Sequence, residues 1–163
     1  MMTKAEFLEE LLKINPKYDT DFVGKAFETG KTLHDGQLRK SGEPYFIHPI
    51  EVALILARLG MDEETIIGGL LHDVVEDTSV TLEELAVHFP SEVVDAVALL
   101  THSSDMPYLE YVRQIKDNPI ARVVKLADLY HNCDATRLPG GTMDEGVIRR
   151  YENKYKKALE ILE

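Results

Sequence analysis

The sequence predicts an all-α protein that forms a single domain over residues 1–163. Apolar residues recur at intervals of three and four along most of the chain, which is the period of an amphipathic helix, and no segment shows the alternation of a strand. A threonine followed three residues later by glutamate marks several helix starts. Short breaks separate the periodic segments, and no repeat or long linker divides the chain. We therefore expect about eight short helices around one core.

Four helices are predicted in the first half of the chain: from Thr3 to Ile14, from about Asp21 to His34, from His48 to Gly60 and from Asp62 to Leu71. Thr3 and Glu6 have the spacing of a capping box, and Asp62 has the position of an N-cap. The helix that begins at His48 is apolar almost all round, so it should be central. Residues 35–44 contain two glycines and a proline, which predicts an ordered loop.

The second half of the chain contains the remaining predicted helices: from Thr81 to Phe89, from Glu92 to Leu100 with Ser91 as its cap, from about Pro107 to Lys116, from Pro119 to about Asn132, and a last one that begins at Thr142. The segment from Leu138 to Gly141 is the clearest break. The last helix has a face rich in Lys and Glu, which should be solvated.

Charge and composition exclude several classes of protein. The net charge of −11 argues against a nucleic-acid binder, because such proteins need clustered Lys and Arg. No apolar run approaches the roughly 20 residues that span a bilayer. The N-terminal segment is an acidic amphipathic helix rather than an apolar signal core, and Cys133 is the only cysteine, which suits a reducing cytoplasm. We expect a cytoplasmic protein with a small-molecule substrate, and the oligomeric state stays open.

Three ionisable side chains stand in apolar surroundings. His48 opens the central helix, His72 directly follows the apolar run that ends at Leu71, and Asp128 follows an apolar helical stretch. Buried carboxylates and imidazoles are unfavourable unless they are paired or bind a metal. We therefore predict that they converge on one divalent metal ion.

The segment after His72 adds further carboxylates. Asp73 is its neighbour, and Glu76 and Asp77 follow one helical turn later on the same rim. Histidine nitrogens with carboxylate oxygens suit Mn²⁺, Fe²⁺ or Zn²⁺. Such an ion lowers the pKa of its bound water to about 7, and Glu76 could accept the proton as general base.

Each of these residues also has a structural interpretation. His48 could be a cap or a core histidine, Asp128 could pair with Lys125 one turn away, and Glu76 with Asp77 could be a solvated rim. The joint pattern favours the metal site. The other four histidines are left outside the site: His34, which could steady the loop, His88, His102, and His131, which is interpreted as a packing residue or one that contacts a ligand.

Three segments carry a resemblance to a known family. They are residues 34–49 (HDGQLRKSGEPYFIHP), residues 70–78 (LLHDVVEDT) and residues 125–132, which have the pattern KLAD-x-x-x-N. The set resembles the HD-type hydrolase domain of RelA/SpoT proteins over roughly residues 20–135. Since no synthetase segment accompanies it, the chain is similar to small stand-alone alarmone hydrolases, including the metazoan SpoT homologues.

The resemblance implies an all-α HD fold and a function. It implies a Mn²⁺ ion bound by His48, His72, Asp73 and Asp128, with Glu76 and Asp77 as the pair that activates and orients the attacking water. It implies nucleotide contacts from Arg39, Lys40, Ser41 and Asn132. The reaction would remove the 3′-pyrophosphate of (p)ppGpp, which gives GDP or GTP and pyrophosphate. A basic pair in an acidic chain suits this substrate, because a guanidinium stacks on a purine and an ammonium contacts phosphate.

The sequence departs from the family pattern next to the nucleotide. Leu129 stands where the family usually has Arg or Lys, and Cys133, Asp134 and Ala135 replace the residues that commonly follow Asn132. The metal ligands are unaffected. The alternatives are therefore hydrolysis of another nucleotide, such as ppApp or the 2′-phosphate of NADPH, a non-catalytic alarmone-binding module, and a purely structural helical module.

Overall fold

The computed structural model describes residues 1–132 and 155–163 of the chain. The described residues contain nine α-helices: α1 (Lys4–Ile14), α2 (Thr20–Leu33), α3 (Ile47–Arg58), α4 (Glu63–Leu71), α5 (Val74–Asp77), α6 (Leu82–His88), α7 (Ser91–Leu100), α8 (Tyr108–Ile115) and α9 (Pro119–Asn132). Residues 155–162 are helical as well. In these parts of the chain the one pairing of strand type is an isolated bridge between Leu38 and Pro44. The prediction of an all-α fold is confirmed.

Side-chain caps define several helix starts. Thr3 forms a complete capping box with Glu6, and the side chain of Asp62 accepts a hydrogen bond from the backbone N–H of Thr65. The Thr81 side chain accepts from the N–H of Glu84 in the same way. Each cap satisfies an N–H group that the first helical turn leaves without a partner. The boundaries predicted from these caps are correct to within one residue.

One predicted cap is wrong. Ser91 is the first residue of α7 rather than its N-cap, and the cap is Pro90, which makes no side-chain hydrogen bond. The extended Pro90 already offers its carbonyl to the N–H groups of Val93 and Val94 at 3.0 and 3.2 Å, so the helical turn starts one residue earlier. The serine hydroxyl is therefore not needed to begin this helix.

The chain turns between α4 and α5. His72 is the C-cap of α4 and Asp73 is the N-cap of α5, which has only four residues. The sequence did not predict α5 as a separate helix. Because of the turn, His72 and Asp73 lie at a helix junction instead of along one helical face.

The centre of the molecule is the packing of α3, α4 and α9 on one another, with α2 and α7 against α4. Gly69 permits a close approach of α3 and α4, because a Cβ atom there would lie 2.7 Å from Leu56 Cδ1. This approach places the N-terminal end of α3 near the C-terminal end of α4. One hydrophobic cluster contains buried residues of all nine helices α1–α9 together with Tyr155, Ala158 and Leu162.

The last predicted features lie partly beyond the described residues. Cys133, the Leu138–Gly141 break and the helix start at Thr142 are outside them. In residues 155–163, Lys156, Lys157 and Glu160 are exposed, as expected for a solvated face. Nowhere in the described ranges is a helix both long and apolar enough to cross a membrane.

Candidate metal centre and active site

Three buried side chains from three helices meet at the centre of the molecule. His48 is the second residue of α3, His72 caps α4, and Asp128 lies near the end of α9. One ligand atom from each lies within 4.8 Å of the other two. His48 Nε2 is 2.7 Å from Asp128 Oδ1, and His72 Nε2 is 3.5 Å from the same oxygen. The packing of α3, α4 and α9 therefore brings together three of the four predicted metal ligands.

His72 is oriented so that its Nε2 faces the centre. Its Nδ1 donates to the carbonyl oxygen of Gly69 over 2.7 Å, so the lone pair of the neutral imidazole lies on Nε2. Nε2 is buried and has no hydrogen-bond partner among the described residues. A buried nitrogen lone pair beside carboxylates is the donor set of a divalent cation. The residues at this centre therefore fit a metal ion.

Asp73, the fourth predicted ligand, lies beside this cluster. Its Oδ2 is 3.0 Å from His72 Nε2 and also accepts a hydrogen bond from the hydroxyl of Tyr45. Its direct coordination of a metal stays a prediction. Tyr45 was not predicted as a site residue, because a tyrosine within a loop gives no signal of where its hydroxyl reaches.

The carboxylate of Asp128 is held on both oxygens. Lys125 Nζ lies 2.9 Å from Oδ2, and the side-chain amide of Asn132 donates to Oδ1 over 3.1 Å. Only 12% of the Lys125 side chain is exposed, and its Nζ is 5.3 Å from the ring centroid of Tyr111. The structural interpretation of Asp128, a pair with Lys125, is thus correct and compatible with a metal, since the pair uses only Oδ2.

The charges at the centre favour ionised carboxylates. Burial opposes the charge on Asp128, but Lys125 and the two histidines outweigh it and hold the pKa of Asp128 well below its usual range. Burial likewise opposes the charge of Asp73, but His72 lowers its pKa to about 2. Burial lowers the pKa of His48, and the surrounding carboxylates raise the pKa of His72 against its burial. Two carboxylates around one imidazole attract positive charge to this point.

Glu76 and Asp77 form the rim next to the centre. Glu76 Oε1 accepts a hydrogen bond of 2.6 Å from the backbone N–H of His102, and Asp77 Oδ2 accepts one of 3.3 Å from the side chain of Gln37. Both residues are exposed to solvent overall, but their carboxyl groups are partly surrounded by protein atoms. This partial burial of the carboxyl groups raises the pKa of each. A carboxylate with a raised pKa beside a metal centre is suited to accept a proton.

Residues 37–45 fold back on themselves as a short hairpin, which we call the hairpin loop. Backbone hydrogen bonds run from the N–H of Arg39 to the carbonyl of Glu43 and from the N–H of Tyr45 to that of Gln37, both 2.8 Å long. Gly42 has a φ of +88°, a conformation that side chains disfavour, so a glycine suits the tip. The hairpin loop is the ordered loop that the sequence predicts.

The predicted nucleotide contacts lie on this loop and at the end of α9. The guanidinium of Arg39 donates to the side-chain oxygen of Asn132 over 3.2 Å. Lys40 is exposed, and the hydroxyl of Ser41 lies 3.5 Å from the Glu43 carboxylate. The structure brings Arg39 to Asn132 but leaves Lys40 at the tip. Their contacts with a nucleotide stay predictions.

Of the histidines outside the predicted site, His131 and His102 contact it directly, and His34 reaches it through Gln37. His131 Nδ1 lies 2.6 Å from His48 Nδ1, and His34 Nδ1 lies 2.8 Å from Gln37, which donates to Asp77. His102 contacts Glu76 through its main chain, a contact that has no sequence signal because every residue except proline offers an N–H.

The departure at position 129 has a structural reason. Leu129 is fully buried in the hydrophobic core. An apolar residue suits that position, and the side chain faces away from the surface. The departures at Cys133, Asp134 and Ala135 lie outside the described residues.

The fold and the site define the family. A family model described as HD domain matches residues 26–130, and the chain belongs to this family. A solved structure described as a metazoan ortholog of SpoT that hydrolyzes ppGpp and plays a role in starvation responses superposes with a TM-score of 0.74 at 27% identity, and the match covers 90% of this chain and 88% of that one.

Curated relatives are similar over most of this chain. The GTP pyrophosphokinase of Myxococcus xanthus is 44% identical over 132 residues, which are 72% of this chain and 17% of that protein. The guanosine-3′,5′-bis(diphosphate) 3′-pyrophosphohydrolase of Aquifex aeolicus is 41% identical over 135 residues, which are 78% of this chain and 19% of that protein. The chain thus spans about a fifth of the length of these relatives. The resemblance predicted from the sequence is confirmed.

Proposed function

We propose that this chain is a divalent-metal-dependent (p)ppGpp 3′-pyrophosphohydrolase that produces GDP or GTP and pyrophosphate. The observation that carries the proposal is the buried cluster of His48, His72 and Asp128, whose ligand atoms lie within 4.8 Å of one another, next to the carboxylates of Glu76 and Asp77. A metal site with acidic groups on its rim is the arrangement of a hydrolase that uses water as nucleophile.

Similarity supports the choice of substrate. The SpoT ortholog that is described as hydrolyzing ppGpp matches this chain over 88% of its own length. Its stated activity therefore belongs to a unit of the same size and fold as this one. The Aquifex aeolicus relative is named for the same reaction, although this chain corresponds to only 19% of it.

The metal ligands in this proposal are His48, His72, Asp73 and Asp128. When bound, the divalent cation supplies hydroxide from water at neutral pH and neutralises charge on the phosphates. We propose Mn²⁺ as the ion, because mixed nitrogen and carboxylate ligands suit it. The same ligands also suit Fe²⁺ and Zn²⁺, so these ions are included in the assay described below.

The two rim carboxylates, Glu76 and Asp77, would have different roles in activating and orienting the attacking water. The His102 N–H already occupies Glu76 Oε1 at 2.6 Å, so Oε2 of Glu76 is the oxygen that accepts the proton. Asp77, held by Gln37 at 3.3 Å, orients the water for attack on the 3′-pyrophosphate. The Glu76 pKa, which partial burial raises, brings this base nearer to neutral pH.

The nucleotide would be bound by the hairpin loop and the end of α9. In a chain of net charge −11, Arg39 and Lys40 form a local basic pair, to which Ser41 and Asn132 add polar groups. A guanidinium can stack on the guanine base, and the lysine can contact phosphate. The bond between Arg39 and Asn132 holds the two segments 3.2 Å apart at this contact.

The proposal covers residues 1–163 as one domain. The hydrophobic cluster that joins α1 to α9 also contains residues of the last segment, which supports a single core. We also propose a cytoplasmic location without nucleic-acid or membrane partners, on the single cysteine and the acidic charge.

A substrate panel tests the proposal. Purified protein is incubated with Mn²⁺, Fe²⁺ or Zn²⁺ and with ppGpp, pppGpp, ppApp or NADPH, and the products are identified by ion-exchange chromatography. We expect GDP or GTP and pyrophosphate in equal amounts, and no reaction in EDTA. Product formed from ppApp or NADPH alone would show that the enzyme hydrolyses a different nucleotide by the same chemistry. Binding of ppGpp without turnover would instead indicate a non-catalytic module.

A further inference from the structure

We propose that His131 is a positioning residue for the metal centre: it accepts a hydrogen bond from His48 Nδ1 and so keeps Nε2 of His48 available as the metal ligand. The inference rests on the proposed metal site and adds a residue to it. The contact that carries the inference is with the ligand His48, so the role of His131 acts through His48.

The contact is a hydrogen bond between two buried imidazoles. The Nδ1 atoms of His48 and His131 are 2.6 Å apart, and both side chains are buried. The ring centroids are 4.8 Å apart and the planes differ by 23°. Atoms of stacked faces do not approach to 2.6 Å, so the rings meet edge to edge in nearly one plane. One of the two nitrogens therefore carries the proton and the other offers its lone pair.

The metal site decides which nitrogen is the donor. His48 Nε2 is the atom that faces the centre, 2.7 Å from Asp128 Oδ1, and without a cation its N–H donates to that carboxylate; a bound cation would take the place of this proton. A neutral imidazole that gives its Nε2 lone pair to a cation has its proton on Nδ1. The donor is then His48 Nδ1, and His131 Nδ1 accepts, which places the proton of His131 on Nε2.

α9 holds the His48 ring from both edges. Asp128 and His131 are three residues apart, so they lie on the same face of this helix. Asp128 contacts Nε2 of His48 at 2.7 Å and His131 contacts Nδ1 at 2.6 Å. One helix thus supplies both a metal ligand and the group that orients a second ligand on another helix.

The two ligand histidines differ in how they are oriented. His72 donates from Nδ1 to the backbone carbonyl of Gly69 over 2.7 Å, whereas His48 uses the side chain of His131. Ligand histidines usually donate their second N–H to a carboxylate, a carbonyl or water. Because the acceptor for His48 is a side chain, this orientation can be tested by substitution, which is impossible for the carbonyl.

The experiment compares His131→Asn with His131→Leu. The Asn side-chain oxygen can take the place of Nδ1 as acceptor, while Leu has the same branched shape without an acceptor. The metal-free proteins are titrated with Mn²⁺ in a calorimeter. We expect the affinity of H131L to fall by about 10- to 100-fold, as for other groups that orient metal ligands, and that of H131N to stay within about threefold of the wild type.

Circular dichroism and thermal unfolding in EDTA establish that each variant is folded. Equal Mn²⁺ affinity for H131L and the wild type would overturn the role of His131 while leaving the metal site intact. Wild-type protein that binds no metal would overturn both proposals. Equal weakening in H131N and H131L would show that only the ring shape matters and would also overturn the role.

A measurement on the wild type keeps the proposal testable should H131L fail to fold. Long-range ¹H–¹⁵N spectra of the protein with diamagnetic Zn²⁺ distinguish the two imidazole tautomers. We expect His131 to carry its proton on Nε2 and His48 to carry its proton on Nδ1. A His131 protonated on Nδ1 would contradict the proposal.

Discussion

The metal centre and the hairpin loop lie side by side in this protein, but they are built in different ways. The ligand atoms of the centre come from α3, α4 and α9, and the three side chains are buried. The hairpin loop is held mainly by its own backbone hydrogen bonds, and Lys40 is exposed at its tip. Two side-chain contacts, Tyr45 with Asp73 and Gln37 with Asp77, join the loop to the carboxylates.

This difference separates the chemistry from the choice of substrate. At the centre each ligand has a second partner, such as Gly69 for His72 and Lys125 for Asp128, so its orientation is fixed by the core. The basic residues of the loop have few such contacts: Arg39 bonds to Asn132 and Lys40 is exposed. Substitutions at the centre should therefore abolish turnover, and substitutions in the loop should change substrate affinity.

The largest effect is expected at Asp128. Asp128→Asn keeps the shape of the side chain but removes the charge that pairs with Lys125 and that we propose to bind the cation. We expect turnover to fall by about 10³-fold or more, because the main electrostatic stabilisation of the transition state is lost. Steady-state assays with ppGpp measure the effect, and the exposed Asp117→Asn is the matched control. Turnover within a factor of ten of the wild type would show that Asp128 is not a ligand.

The next largest effect on turnover is expected for Glu76→Gln. Gln keeps the acceptor for the His102 N–H but cannot accept a proton as a base. We expect turnover to fall by roughly 10²-fold, as for a lost general base, while Mn²⁺ binding stays unchanged. Glu83→Gln on α6 is the control. A variant with lost metal binding would instead place Glu76 among the ligands.

The pH profile gives a second readout for the same residue. Partial burial raises the pKa of Glu76, so the base becomes protonated at a higher pH than an ordinary glutamate would. At saturating Mn²⁺, kcat should therefore decrease as the pH falls through this raised pKa. The Glu76→Gln variant should lack that decrease. If kcat of the variant still decreases in the same way at low pH, the decrease belongs to another group.

In the loop, Arg39→Ala should change affinity more than rate. In the proposed binding mode the guanidinium would make a charge-assisted contact with the nucleotide that is the same in the ground and transition states. We expect KM for ppGpp to rise by about tenfold with kcat nearly unchanged. Arg58→Ala, at the opposite end of α3 from His48, is the control. A tenfold drop in kcat at unchanged KM would show that Arg39 acts in the chemical step and not in substrate binding.

The smallest effect is expected at Gln37, which connects the two regions. Gln37→Leu removes the 3.3 Å hydrogen bond to Asp77 at the exposed rim. A single neutral donor there is worth about 0.5–1.5 kcal/mol, so kcat should fall by about 2- to 10-fold. Mn²⁺ affinity should not change, and Gln114→Leu on the exposed face of α8 is the control. An effect as large as that of Glu76→Gln would refute the modest role of this bond.

The residues of the centre could be predicted because burial makes them conspicuous. His48 opens an apolar helical stretch, His72 and Asp128 each follow one, and a buried ionisable group needs a partner. The caps at Thr3 and Asp62 were predictable for a similar local reason, since the cap and the N–H that it satisfies are three residues apart.

The remaining contacts depend on tertiary packing and have no local signal. The hydrogen-bond partner of His48 Nδ1 is 83 residues away in the sequence, and the donor to Glu76 Oε1 is a main-chain group 26 residues away. The turn between His72 and Asp73 was missed because the apolar pattern continues through Val74 and Val75. The prediction of Ser91 as an N-cap was wrong because the sequence does not reveal that Pro90 is extended and that its carbonyl accepts the first helical hydrogen bonds.

The most direct test of the metal centre is a calorimetric titration of the metal-free protein with Mn²⁺, alongside Asp128→Asn and the control Asp117→Asn. The structure predicts one ion per chain for the wild type and for the control, and a binding site lost or greatly weakened in Asp128→Asn. Absence of binding to the wild type, or equal binding by all three proteins, would contradict a metal centre at His48, His72 and Asp128.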